Sequence, residues 1–228
     1  MIYSERLQTF LGALEGPLKE GEYPFDRLRK QARENGVPII RPEMERFLQV
    51  LLELEKPERI LEVGTATGYS AMRMASFTPD DVTITTIENY ALRAEEARRN
   101  FASCPWKDRI FLIEGDAADV LGTLESGSYG MVFMDAAKAQ YIHFLPDVLR
   151  ILKTGGLLVS DNVLQDGVIL EPRCAVERRD RTIHRRIREY LLLLSRTDGL
   201  VTSVVPIGDG AAVTVKKAEE VLLPETED

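Results

Sequence analysis

Short apolar, β-branched runs at 59–63, 82–87, 110–113, 131–134 and 157–160 alternate with stretches of helical periodicity at 69–77, 91–103, 117–124 and 139–152. Five strands separated by four helices predict βαβ repetition and a mainly parallel, doubly wound sheet. The runs are apolar at nearly every position, the pattern of strands covered by helices on both faces. After residue 160 the rhythm changes. A helical stretch over 176–195 leads to two β-rich runs, 201–207 and 211–217, around Gly208-Asp209-Gly210, which reads as an antiparallel hairpin. The expected fold is α/β: a Rossmann-like, doubly wound sheet of seven strands with a C-terminal antiparallel hairpin.

Before the first strand lie helical candidates at 4–14, 25–35 and 42–54. They could cap a ligand cleft or build an oligomer contact, and the pattern allows either. We expect one domain: added helices over 1–56, the core over 57–217, and a mobile acidic tail over 218–228. With 228 residues, 44% of them hydrophobic, one sizeable core is enough and a second domain is not required. The first fourteen residues carry Glu5 and Arg6 and no unbroken apolar run, so no signal peptide is expected. No apolar run is long enough to span a membrane. Cys104 and Cys174 are too few for a disulfide framework, and with two histidines they form no zinc pattern. The cytoplasm is the simplest home.

The first candidate chemistry is the turn where the first strand ends. Val63 passes directly into Gly64-Thr65-Ala66-Thr67-Gly68 before a helix, and a ligand at the carboxyl edge of such a sheet sits where strand order reverses. In the dinucleotide fingerprint the middle glycine clears room for a pyrophosphate; here that position is Ala66. A cofactor without a pyrophosphate fits better, and S-adenosylmethionine is one. Glu88 ends the second strand, where a carboxylate can accept hydrogen bonds from both ribose hydroxyls. Gly115-Asp116-Ala117 ends the third, suited to an adenine amine. Such turns can also be merely structural, but three neighbouring strand ends favour a nucleoside site.

A second cluster is made of oxygen. The fourth strand ends in Asp135 and the fifth in Asp161-Asn162, and adjacent parallel strands place those ends side by side. Two carboxylates and an amide suit Mg²⁺, with Mn²⁺ or Ca²⁺ as alternatives, rather than zinc. Asp161 and Asn162 alone would read as ordinary turn residues; Asp135 beside them changes that. Lys138, three residues beyond Asp135, is either a general base next to a cation or a solvated lysine at a helix start.

Glu62-Val63-Gly64-Thr65-Ala66-Thr67-Gly68-Tyr69-Ser70, Asp135-Ala136-Ala137-Lys138-Ala139-Gln140-Tyr141 and Asp161-Asn162 resemble the metal-dependent O-methyltransferases that include the catechol and caffeoyl-coenzyme A enzymes. The resemblance covers roughly residues 35 to 217. It implies Asp135, Asp161 and Asn162 as metal ligands and Lys138, with Asp135, as catalytic. It implies Ile40, Glu62, Gly64, Ser70, Glu88, Asp116, Ala117 and Asp135 as S-adenosylmethionine contacts, and a homodimer. Asn35-Gly36-Val37-Pro38-Ile39-Ile40, Asp161-Asn162-Val163-Leu164 and Pro206-Ile207-Gly208-Asp209-Gly210 are similar to the bacterial tRNA 5-hydroxyuridine methyltransferases. That likeness implies methylation of the wobble uridine's 5-hydroxyl to 5-methoxyuridine.

Charge adds one further observation. The chain is acidic, at −8 overall, yet between Glu171 and Tyr190 seven arginines face four acids and no lysine. That segment carries +3, leaving −11 for the rest. On an ideal helix Arg178, Arg181, Arg185 and Arg188 share one stripe while Ile183, Ile187, Leu191 and Leu194 form another that can face the core. Such a stripe could hold the phosphates of a tRNA anticodon loop, or could be an ordinary solvated face. The alternatives to a tRNA methyltransferase are a small-molecule O-methyltransferase acting on a catechol-like phenol, an NAD(P)-binding oxidoreductase, and a non-catalytic cofactor-binding module. Ala66 and the terminal hairpin argue against the oxidoreductase, and the intact Asp135, Lys138, Asp161 and Asn162 argue against the module.

Overall fold

The computed structural model describes residue 10 and residues 23–224. Two helices, α1 (Phe25–Glu34) and α2 (Pro42–Glu55), precede the sheet. Then follow β1 (Arg59–Val63), α3 (Tyr69–Phe77), β2 (Thr83–Glu88), α4 (Ala91–Ala102), β3 (Ile110–Glu114), α5 (Ala117–Thr123), β4 (Tyr129–Met134), α6 (Tyr141–Ile151) and β5 (Leu152–Ser160). The chain closes with α7 (Arg181–Arg196), β6 (Leu200–Val205) and β7 (Ala211–Lys216).

The seven strands form one sheet in the order β3-β2-β1-β4-β5-β7-β6. β1 to β5 run parallel, and β7 pairs antiparallel with both β5 and β6. Strand order reverses between β1 and β4, whose last residues, Val63 and Met134, are register partners. That reversal opens the crevice in which sheets of this kind bind ligands.

The uninterrupted apolar strands are explained by two cores, one on each face. Along β4, Met131 and Phe133 join the core under α2, α3 and α4, while Val132 and Met134 join the core under α5, α6 and α7. Successive strand side chains point to opposite faces, so both must be apolar when both are covered. Among the described residues no helix is long and apolar enough to cross a membrane.

Three expectations change. The helix expected over 176–195 starts only at Arg181. Residues 165–170 instead form a 3₁₀ turn broken by left-handed backbone at Asp166 and Gly167, φ 50° and 90°, and further turns follow up to Asp180. Arg178 therefore precedes the helix and does not share the stripe of Arg181, Arg185 and Arg188. In the tail expected to be mobile from residue 218, Val221 and Leu223 pack against the core while Glu219 and Glu220 stay exposed. Residues 225–228, and residues 4–14 apart from Phe10, lie outside the described residues.

Candidate active site

The β1–α3 turn is built by backbone. Gly64 and Thr65 both donate their N–H to the Ile87 carbonyl, at 3.1 and 3.2 Å, and Asp135 donates its N–H to the Val63 carbonyl at 2.9 Å. The turn needs left-handed backbone at Gly64 (φ 103°), Ala66 (46°) and Gly68 (82°). A Cβ on Gly64 would stand 2.3 Å from the Asp135 carbonyl oxygen, so only glycine lets the loop lie against β4. Ala66 adopts the same region at a cost and turns its N–H to Glu88 Oε2 at 2.8 Å. The other oxygen of Glu88 accepts from the Tyr90 N–H at 2.9 Å. Two amides thus aim this carboxylate at the cleft, with lone pairs left for a ligand's hydroxyls.

The cleft itself is about 800 Å³, a size usual for sites that hold a cofactor and a small substrate group. Ile40, Gly64, Ser70, Glu88, Asp116 and Ala117 all line it, as do Asp135, Lys138, Asp161 and Asn162. Asp116 is also the N-cap of α5, accepting the Ala118 N–H at 2.9 Å, so its structural and ligand-facing roles coexist. Ile39, Ile40, Arg41 and Met44 form part of the wall. Of the two uses left open for the N-terminal helices, the described part of the chain caps the cleft.

Glu62 is the exception among the expected cofactor contacts. It is fully buried beneath the turn and does not line the cleft. Thr86 donates its hydroxyl to Glu62, so the 2.6 Å contact between Thr65 and Thr86 is a donation from Thr65. The chain of three groups ties the loop to β2. Burial pushes the Glu62 carboxyl up to about 8, with the Asp135 and Glu88 charges adding to it.

At the ends of β4 and β5 the oxygen cluster forms. Asp161 is almost wholly buried; burial first, and the neighbouring Asp135 charge second, push it up to about 7. Its Oδ1 accepts the Asn162 N–H at 2.8 Å. Asn162 has φ 58°, a conformation asparagine tolerates better than most residues. With its amide nitrogen toward Asp161, it donates to both carboxylate oxygens at 2.9 Å. Lys138 Nζ donates to Asp135 Oδ1 at 2.8 Å and to the Tyr141 hydroxyl at 3.2 Å. Tyr141, which ends the Asp135–Tyr141 motif but carried no expected role, places its hydroxyl 2.9 Å from the Met134 carbonyl and 3.2 Å from the Asp161 carbonyl and so bridges the ends of β4 and β5 from below.

Two carboxylates whose charges oppose each other in a buried site fit a divalent cation, which would remove the repulsion. Among the described residues no three Asp, Glu, His or Cys side chains converge as a metal site; beside Asp135 and Asp161, the Asn162 amide is the neighbouring oxygen donor suited to a hard cation. Sequence reasoning missed Asp209 and Arg41, which line the same cleft. The Gly-Asp-Gly spacing disguised Asp209 as a hairpin turn; its carbonyl accepts the Leu164 N–H at 3.0 Å, and its carboxylate accepts the Asp166 N–H.

The arginines lie outside the cleft wall. Arg181 Nε donates to the Val176 carbonyl at 3.1 Å, Arg188 Nη1 to the Ile169 carbonyl at 2.9 Å, and Arg185 pairs with Glu189 at 3.2 Å. All three side chains remain exposed, as does Arg178. Arg186 donates to the Ala139 carbonyl at 3.1 Å, joining α7 to the turn that carries Lys138.

A cleft at the strand reversal, lined by Glu88 and Asp116 and flanked by a hard oxygen cluster, narrows the chemistry, and comparison with known proteins decides the family. The family described as O-methyltransferase matches residues 21–217. The chain belongs to the O-methyltransferase family. A catechol O-methyltransferase of Niastella koreensis is 34% identical over 143 residues, covering 60% of this chain and 65% of that enzyme. Tapetum-specific methyltransferase 1 of Arabidopsis thaliana is 29% identical, over 78% of this chain and 76% of its own length. The O-methyltransferase TomG of Streptomyces achromogenes, solved with S-adenosylmethionine and involved in tomaymycin synthesis, superposes with a TM-score of 0.81 at 25% identity. That similarity spans 96% of this O-methyltransferase and 100% of TomG.

Proposed function

We propose that this O-methyltransferase binds S-adenosylmethionine and a divalent cation and methylates the 5-hydroxyl of uridine at the tRNA wobble position. The observation that carries the chemistry is the meeting, in one cleft, of Glu88 at the end of β2 with Asp135, Asp161 and Asn162 at the ends of β4 and β5. The first is suited to a ribose, the others to a hard cation. When bound, the cofactor supplies the methyl group, its C–S bond breaking as the C–O bond forms, and the cation on Asp135, Asp161 and Asn162 supplies positive charge for the developing oxyanion.

The chain's own residues do the rest. Glu88, with Asp116 and Ala117 beyond it, orients the nucleoside part of the cofactor. Gly64 lets the backbone approach it, and Ile40 and Ser70 flank it. Lys138 accepts or relays the proton that leaves the substrate hydroxyl. Catalysis on this reading is mostly orientation and charge stabilisation.

The tRNA substrate is supported by the exposed Arg178, Arg181, Arg185 and Arg188 on an otherwise acidic protein, since phosphate contacts need cations and unpaired bases stack on guanidinium groups. Mass spectrometry of tRNA nucleosides from a strain lacking the gene tests it. Loss of 5-methoxyuridine with accumulation of 5-hydroxyuridine is expected; an unchanged nucleoside profile would remove the tRNA reading. In that case a small catechol-like phenol becomes the substrate, a second reading supported by the relative named catechol O-methyltransferase. A homodimer is supported by Val50 and Leu54 on α2 and Val201 on β6, exposed by 54%, 76% and 61%. Light scattering on the purified chain tests that, and a monomer mass would refute it.

A further inference from the structure

Beneath the cap, outside the catalytic cluster, lies a group of charges that the proposed reaction does not use. Glu45 on α2 is completely buried, and Arg73 on α3 is 1% exposed. The Glu45 carboxylate accepts from Arg73 Nε at 2.9 Å, from the Tyr69 hydroxyl at 2.9 Å, and from Arg29 Nη2 at 3.0 and 3.2 Å. Arg29 Nη2 also donates to the Tyr69 hydroxyl at 2.8 Å. The Arg73 guanidinium lies 4.0 Å from the centre of the Phe25 ring. One carboxylate thus joins three helices: α1 through Arg29, α2 through its own backbone, and α3 through Tyr69 and Arg73.

Stability alone does not explain this arrangement. Buried ion pairs gain little over well-packed apolar side chains of similar size, because desolvation offsets the attraction. The cluster is not even fully satisfied: Arg73 Nη2 and Arg29 Nε are buried without a hydrogen-bond partner among the described residues. Hydrogen bonds do, however, fix direction and register, which non-directional apolar packing does not.

The position of the node in sequence says what it registers. Glu45 follows Met44, and Tyr69 precedes Ser70; Met44, Tyr69 and Ser70 all line the cleft. The carboxylate therefore sets the wall contributed by the cap against the wall contributed by the turn that starts α3.

We propose that Glu45, with Arg29 and Arg73, is a positioning node that holds the N-terminal cap in register over the cofactor turn, so that Arg29 governs cofactor affinity without touching the cofactor. The inference rests on the reading that the cleft binds S-adenosylmethionine. Arg29 is the arm to remove, because its side chain is 25% exposed and Arg73 still neutralises Glu45 in its absence.

The test compares wild type with Arg29→Met, which keeps an unbranched apolar stem, and Arg29→Lys, which keeps the charge. Calorimetric titration of S-adenosylhomocysteine, the KM for S-adenosylmethionine and the melting temperature are read together. Arg29→Met is expected to weaken binding and raise that KM about tenfold, while kcat at saturating cofactor falls much less; Arg29→Lys is expected to recover most of the affinity. An Arg29→Met protein that melts earlier yet binds S-adenosylhomocysteine as the wild type does would reduce the node to a structural role and overturn the proposal. Failure of the wild type itself to bind S-adenosylhomocysteine would instead bring down the cofactor reading, and the node with it.

Discussion

The two halves of the cleft are built from different materials. The half around β1, β2 and β3 is made of backbone: the turn at Gly64–Gly68 hangs on main-chain carbonyls, and Glu88, which it turns to the cleft, is aimed by two main-chain amides. The half around β4 and β5 is made of side chains under electrostatic stress, with Asp135, Lys138 and Asp161 crowded together and Asn162 in a left-handed conformation. The backbone-built half is shaped for binding, whereas the side-chain half is where charge can be made and moved at the reacting atoms. Binding and chemistry should therefore separate under mutation.

The sharpest break is Asp161→Ala. It removes one of the two carboxylates of the proposed cation site and leaves the Gly64–Gly68 turn unaltered in sequence. Turnover should fall by about a thousandfold or more, the usual scale for losing a group that stabilises transition-state charge. Affinity for S-adenosylhomocysteine should stay within about threefold. Parallel loss of both, measured by initial rates and by calorimetry, would mean that the halves are not separable. The mirror image is Gly64→Ala. Its Cβ would meet the Asp135 carbonyl oxygen at 2.3 Å and the residue would keep φ 103°, so the turn must move off β4. We expect roughly a hundredfold weaker cofactor binding and about 2 kcal/mol lower stability in urea melts. Wild-type affinity would mean that the turn is looser than its hydrogen bonds imply.

The same division explains what could be read from the chain. Turns and strand ends are local, so Gly64, Glu88, Asp116, Asp135, Asp161 and Asn162 were legible from apolar runs and the residue that follows each. Glu62 was not: it sits in the same motif, yet strand alternation turns it under the loop, toward Thr86. Glu45 gives no signal in the sequence, because its partners, Arg29, Tyr69 and Arg73, come from other helices. Arg178 was assigned to a helix because periodicity does not show the turns, closed by Val176 N–H on the Arg173 carbonyl and Asp180 N–H on the Glu177 carbonyl, that occupy the chain before Arg181. Asp209 reached the cleft through a hairpin whose sequence reads only as a turn.

A third, smaller effect concerns what lies beyond the cleft. Replacing Arg181 and Arg185 with Glu should lower the ratio of kcat/KM on tRNA to that on a small phenol by about tenfold, and flatten the salt dependence of tRNA binding. Part of any melting-temperature loss will come from Arg185→Glu itself, which faces Glu189 four residues on and exchanges an attraction for a repulsion. An unchanged ratio would assign these arginines to the helix surface alone.

The smallest effect tests the backbone-built half from within. The Glu62 carboxyl is raised from 4.5 to about 8 by burial, so the fold holds its protonated form. Between those values the unfolded chain has released the proton and the folded chain has not, and the stability this group contributes below 4.5 is lost progressively as pH rises through about 8. Glu62→Gln keeps a neutral side chain that can still accept from Thr86, and it has no proton to lose. The melting temperature of the variant should therefore fall less than that of wild type between pH 5 and 8, by roughly 5 °C over the range. Asp161, raised to about 7, adds a slope of the same sign in both proteins, so both curves should fall and separate as pH rises. Coincident curves would mean that Glu62 is ionised in the fold, and that the loop above it is held by a charge rather than by a neutral hydrogen-bonded acid.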